Sequence, residues 1–207
     1  MADHIDFYWD IGSTNTYFAL HLIRPIAERY GVDIRYRPLN LGYVFRHHNY
    51  RLMEEPTAKL SNRRRDLQRW AAFHGLPFRM PDVFPIKTSR ALRGSLVMRK
   101  HGLEGVYLDA IFSAYWENND PGIADYDGLR TIAASLGLDP KQFEAECESD
   151  PVREALIETT DLALANGIFG APTFVIDGEI YWGKDRLEFI DAHLAGKPAL
   201  PPAARRP

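Results

Sequence analysis

Ala171-Pro172-Thr173-Phe174-Val175-Ile176-Asp177-Gly178-Glu179-Ile180-Tyr181-Trp182 consists of two short apolar runs joined by Asp-Gly. Asp-Gly accepts the positive φ angles of a tight hairpin turn, so Thr173–Ile176 and Glu179–Trp182 read as paired strands. Gly183-Lys184-Asp185 follows and opens a last amphipathic helix, with Leu187, Phe189, Ile190 and Leu194 as its apolar set. At the other end of the chain, Ile5-Asp6-Phe7-Tyr8-Trp9 is too apolar on both faces for a surface strand and reads as a central one. The turn Asp10-Ile11-Gly12-Ser13-Thr14-Asn15-Thr16-Tyr17 leads into a helical pattern from Phe18 to Tyr30, with Leu20, Ile23, Ala27 and Tyr30 on one side. Pro25 is expected to kink that helix and Gly31 to end it. Val32 to Arg37 alternates as a second strand, parallel to the first through a right-handed crossover.

Between these ends the sequence changes character. Residues 39–57 are polar and irregular, and 76–85 form a proline-punctuated loop. Helical patterns run over 59–75, 89–100, 103–118, 126–136, 140–146 and 151–166. The order βαβ, helical block, ββα is that of an α/β thioredoxin-like fold carrying a large all-helical insertion. We expect a single unit over 1–195, built from halves 1–45 and 167–195 around the insertion 46–166. The proline-rich segment 196–207 is expected to be a disordered tail.

Composition narrows the function. The chain has 207 residues, 45% hydrophobic and 26% charged, as in ordinary globular proteins. A formal net charge of -3 provides no electrostatic case for nucleic acid or an anionic membrane surface. No long apolar run and no signal-like start occur, so the expected location is the cytoplasm. Cys147 is the only cysteine, which excludes an internal disulfide and a Cys-x-x-Cys pair.

The turn at 10–17 is the chemically suggestive stretch. A helix start leaves unpaired N–H groups and the positive end of the helix dipole, which together favour anions and thiolates. Ser13, Thr14 and Thr16 place three hydroxyls there, and each is also an ordinary helix-cap residue. Pro172, just before a hairpin strand in this segment order, is expected to be cis, turning the backbone of Ala171 outward for pairing with an extended peptide. A trans proline opening the strand is the alternative.

Taken together, these pieces resemble the 2-hydroxychromene-2-carboxylate isomerase family, related to the kappa-class glutathione transferases. The matching residues are Phe7-Tyr8-Trp9-Asp10 with Ser13 and Tyr17, Asp66-Leu67-Gln68-Arg69-Trp70, Trp116-Glu117, Gly167-Ile168-Phe169-Gly170-Ala171-Pro172-Thr173 and Trp182-Gly183-Lys184-Asp185-Arg186-Leu187. They extend from Ile5 to Leu194. The resemblance implies a DsbA/kappa-type fold, glutathione as cofactor, and a serine where redox relatives carry a cysteine. By that resemblance Ser13 holds the glutathione sulfur and is the catalytic residue. Ala171 pairs the cysteinyl backbone beside Pro172, which is also counted as cofactor-binding, Asp185 and Arg186 bind the γ-glutamyl end, and Asn49 and Lys59 contribute further contacts. The family's reaction uses the thiolate as a reversible nucleophile on a conjugated aromatic substrate, and its members are commonly homodimers. Here the family's S-P-x-S-Y turn is Ser13-Thr14-Asn15-Thr16-Tyr17, so Thr14 or Thr16 stands as an alternative sulfur contact. Trp9 and Tyr17 are candidate walls for the substrate. Two other functions stay open, a kappa-like transferase and a non-catalytic peptide-binding module.

The remaining conspicuous groups have plainer readings. His47-His48 lacks further ligands at metal spacing, so no metal is expected. Arg63-Arg64-Arg65 reads as a solvated helix face, and Cys147 sits among acidic residues that do not favour a thiolate. Asp6 and Asp10 read as capping or pairing groups rather than a catalytic carboxylate pair.

Overall fold

The computed structural model describes residues 2–51 and 54–197. Most of the segment expected to be a tail therefore lies outside the described residues. The strands β1 (His4–Trp9), β2 (Asp33–Pro38), β3 (Thr173–Ile176) and β4 (Glu179–Trp182) form a four-stranded sheet in the order β2-β1-β3-β4. Central β1 pairs parallel with β2, Phe7 opposite Tyr36, and antiparallel with β3, Phe7 opposite Phe174. The two phenylalanine rings stack at 4.8 Å across that register.

Alternation along β1 separates two cores. Ile5, Phe7 and Trp9 face the larger one, shared with α1 (Thr14–Tyr30), while Tyr8 faces a smaller one with Leu39, Val44, Ala163 and Ile168. α1 runs unbroken through Pro25 and ends at Gly31, whose φ of 65° supplies the left-handed turn. Between the parallel pair and the hairpin lie α2 (Leu41–His47), α3 (Thr57–His74), α4 (Ser89–Lys100), α5 (Glu104–Trp116), a 3-10 turn at Pro121–Ala124, α6 (Tyr126–Ser135), α7 (Pro140–Glu148) and α8 (Asp150–Ala165). α4 sits at the heart of this block, against α5, α7 and α8, and reaches β2. α9 (Leu187–Leu194) is the last element among the described residues and lies beside α1.

Two differences from the sequence reading have physical causes. α2 forms within a stretch read as irregular. Asn40 caps it, accepting from the Tyr43 N–H at 3.1 Å, and Val44 is buried against Ala163 and Ile168. Tertiary contacts therefore hold a helix too short to persist alone. α9 begins at Leu187 rather than Gly183, because Gly183 adopts φ 114° and the chain turns there first. A side chain at Gly183 would meet the Asp185 carboxylate at 2.5 Å, so glycine is what lets Asp185 sit where it does.

Candidate active site at the α1 start

The site is built on the turn that joins β1 to α1, and buried side chains fix that turn. The Asp10 carboxylate accepts from the Gly12 N–H at 2.8 Å, the Leu41 N–H at 2.9 Å and the Thr88 hydroxyl at 3.1 Å. One residue thereby ties the turn to the starts of α2 and α4. Thr88 occupies the cap position of α4 but spends its hydroxyl on Asp10 instead. Burial, only partly offset by these donors, pushes the Asp10 carboxyl up to about 6. From the other side, the Trp116 indole donates to the Ile11 carbonyl at 2.8 Å. A Cβ at Gly12 would lie 3.0 Å from the Thr88 methyl, so the close approach of this helix start needs glycine.

Ser13 is the N-cap of α1. Its Oγ accepts from the Thr16 N–H at 3.2 Å and its hydroxyl donates to the Ala171 carbonyl at 3.0 Å. No acidic side chain lies in the first turn to neutralise the positive helix end. Ser13, Thr14 and Asn15 are half-buried, whereas Thr16 is fully buried and its hydroxyl has no hydrogen-bond partner among the described residues. Of the three hydroxyls, Thr16 is thus directed into the protein, leaving Ser13 and Thr14 at the surface of the turn.

The Ala171–Pro172 peptide bond is cis. Its loop is held on both sides. The Thr173 hydroxyl donates to the Gly170 carbonyl at 2.7 Å, and the Gly183 N–H donates to the Pro172 carbonyl at 3.0 Å. The second of these bonds connects the cis-proline loop to the segment bearing Asp185 and Arg186, which pair with each other at 2.7 Å. Lys184 lies between, its ammonium 4.4 Å from the centre of the Trp70 ring on α3, and burial lowers its pKa. Trp70 and Lys184, both in motifs noted in the sequence, therefore fasten the insertion to this loop.

The structure brings Ser13, Ala171 and Pro172 into one cluster, with Asp185 and Arg186 joined to it through Gly183. It does not bond Asn49 or Lys59 to any of them. Asn49 follows α2 with φ 52°, and Lys59, in the first turn of α3, pairs with Glu55 at 3.0 Å. The suggestion that Trp9 and Tyr17 wall a substrate pocket is overturned. Both are fully buried in the larger core, with Tyr17 wedged among Phe18, His21 and Phe78 while its hydroxyl donates to Glu117 at 3.0 Å. The half-exposed aromatics beside the site are instead Phe169 and Trp182, packed on each other at 5.1 Å next to the cis-proline loop.

Sequence reasoning marked Asp10 as a capping or pairing group and Trp116 as a family-matching residue, but placed neither on the turn's wider contacts. Asp10 had a local signal, an Asp two residues before a Gly, the pattern of an Asx turn. Trp116 had none. Among the described residues, no cluster of three or more His, Cys, Asp or Glu side chains could hold a metal ion, and no helix is long and apolar enough to cross a membrane. Cys147 is buried, which pushes its thiol up to about 12 and removes it from thiolate chemistry.

The site offers a hydroxyl at the start of α1, the Ala171 peptide unit beside cis-Pro172, and a carboxylate–guanidinium pair at Asp185 and Arg186, groups whose chemistry suits a thiol-bearing peptide. A mixed four-stranded sheet with a capped helix start against a cis-proline loop, interrupted by helices, defines a thioredoxin-fold protein of the DsbA type. A model of the DSBA-like thioredoxin domain family matches residues 4–195. The chain is 32% identical to the 2-hydroxychromene-2-carboxylate isomerase of Pseudomonas sp. (strain C18), over 94% of this chain and 91% of that protein. It is 25% identical to glutathione S-transferase kappa 1 of Caenorhabditis elegans, over 95% of this chain and 93% of that one. A solved 2-hydroxychromene-2-carboxylate isomerase superposes with a TM-score of 0.81 at 28% identity, covering 93% of this chain and 94% of the other. The chain belongs to the 2-hydroxychromene-2-carboxylate isomerase family of DsbA-like thioredoxin domains.

Proposed function

We propose that the protein is a glutathione-dependent isomerase of the 2-hydroxychromene-2-carboxylate isomerase type, acting in the cytoplasm on a small aromatic or conjugated substrate. The observation that carries the proposal is the Ser13 hydroxyl, 3.0 Å from the Ala171 carbonyl beside cis-Pro172 and at the start of α1. A thiol ligand laid along Ala171 as an added strand would bring its sulfur to that hydroxyl. The names of the relatives, isomerases and a kappa-class glutathione transferase, support the cofactor and the class of reaction. Glutathione, a conjugated substrate and a second copy of the chain make up the proposed partner set.

Glutathione, when bound, supplies the nucleophilic thiolate. The chain's own contribution is to hold and ionise the sulfur and to exclude exchange chemistry. A hydroxyl at position 13 cannot form a disulfide, so the thiol is kept as a reagent rather than consumed. A free thiol with a pKa of about 8.5 is only a few per cent ionised at neutral pH. Lowering it by about two units requires roughly 2.7 kcal/mol. A hydrogen bond to a charged sulfur (about 1.5–3 kcal/mol) and a helix terminus (about 0.3–1 kcal/mol) together supply that much. Ala171 and Pro172 orient the tripeptide, and Asp185 and Arg186 offer complementary charges to the amino and carboxyl groups of its γ-glutamyl end.

Isothermal titration with glutathione is expected to show binding at or below millimolar concentration, and absence of heat there would sink the enzyme reading. Isomerisation of aromatic pyruvates without net loss of glutathione is the expected activity. Stoichiometric loss of the thiol would point instead to conjugation, as in the kappa transferases.

A further inference from the structure

The hydroxyl assigned to the sulfur already has a partner. Ser13 Oγ accepts from the Thr16 N–H, and its single proton goes to the Ala171 carbonyl at 3.0 Å. That carbonyl belongs to the peptide unit that would pair with the ligand's backbone. The two ends of the sulfur subsite, 158 residues apart in sequence, are therefore bonded to each other.

We propose that the Ser13–Ala171 hydrogen bond is a latch that discriminates a free thiolate from a thioether at this site. The inference rests on the glutathione reading. One hydroxyl proton cannot serve Ala171 and a sulfur at the same time. A thiolate is a strong, charged acceptor, so it takes the proton, and the Ala171 carbonyl is released to accept fully from the ligand's backbone N–H. A thioether sulfur is a weak acceptor and does not draw the proton away. The hydroxyl then stays on Ala171, and the ligand's N–H must share a carbonyl one of whose two lone pairs is already engaged. Rotation of the Ser13 O–H is the only movement required, because Oγ keeps its bond from the Thr16 N–H in both states. The latch favours the free thiolate and disfavours the S-substituted tripeptide, which suits a catalyst that must regenerate its thiol.

The test compares glutathione with S-methylglutathione by calorimetry at about pH 8, where thiolate predominates at a site that lowers the thiol pKa. The proteins are the wild type, Ser13→Ala and Ser13→Gly. Glycine is tolerated at an N-cap, so the second variant removes the hydroxyl while keeping the helix start, and circular dichroism checks both folds. The expected result has opposite signs for the two ligands. Glutathione binding should weaken about tenfold or more in both variants, whereas S-methylglutathione binding should tighten about threefold, as one neutral hydrogen bond ceases to compete. S-methylglutathione binding that is unchanged or weaker in both folded variants, with wild type still binding glutathione, would overturn the latch and leave the glutathione site standing. Wild type that binds neither ligand at millimolar concentration would overturn both.

Discussion

Trp116→Ala is expected to lower stability by about 4 kcal/mol, in the range for truncating a buried tryptophan. Trp116 is fully buried, with Phe78 stacked at 5.8 Å, Phe84 at 6.0 Å and Tyr115 at 4.6 Å. Its removal opens a cavity among these rings and also leaves the Ile11 carbonyl without the indole donor. For a chain of this length each kcal/mol is worth about 2–4 °C in Tm, so a fall of roughly 8–16 °C is expected by thermal melting. Trp116→Phe separates the two roles. It keeps most of the ring packing and deletes the donor, so a loss of only about 1–2 kcal/mol is expected. The functional readout should then exceed the stability readout. With the Ile11 carbonyl released, the helix start bearing Ser13 loses one of its two anchors, and glutathione affinity should fall in a variant that still melts cooperatively. Equal affinity in Trp116→Phe and wild type would show that Asp10 alone holds the turn.

The second large effect is the pH dependence written into Asp10. Its carboxyl is raised from 3.8 to about 6 by burial. Between these values the native state binds more protons at this position than the unfolded chain, so stability falls as pH rises through that window. The contribution is fully present below about pH 4, declines toward pH 6 and is flat above. A shift of about two units corresponds to roughly 3 kcal/mol. Other carboxylates act oppositely. Glu148, through the donors Tyr126 and Arg153, is held below its ordinary range, and its stabilisation is lost on acidification. The measurement is therefore a difference, wild type minus Asp10→Asn, across pH. The variant does not titrate at this position, and in either amide orientation it presents an N–H₂ group to a backbone N–H, of Gly12 or of Leu41. The wild-type advantage is expected to shrink by about 3 kcal/mol from about pH 4 to about pH 7. A constant difference would mean that Asp10 ionises as an ordinary solvated aspartate.

The two predictions meet in one place. The family's turn carries a proline after the serine, and Thr14 stands there in this chain. The turn is held by side chains: Asp10 pulls Gly12, Leu41 and Thr88 together, and Trp116 reaches in from α5.

How much of this was legible beforehand follows from the range of each interaction. The hairpin at Asp177-Gly178, the cap at Ser13 and the central character of β1 were readable because each is decided within a few residues, by turn chemistry, by a cap or by periodicity. The order of the segments then carried the thioredoxin-like layout, and the motifs around Pro172 and Asp185 carried the family. The sequence did not reveal which polar and aromatic groups face inward. Thr16 and Thr14 are equivalent as letters near a helix start, yet one is fully buried and the other half-exposed. Trp9 and Tyr17 looked available to a substrate until packing against Phe112 and Phe78 put them inside. The sequence by itself determined the fold class, the family and the hydroxyl at position 13. Only the tertiary structure decided that this hydroxyl is bonded to Ala171, that Asp10 reaches Leu41 and Thr88 and that Trp116 clamps the turn, because those partners are brought together by the packing of distant elements and leave no local trace.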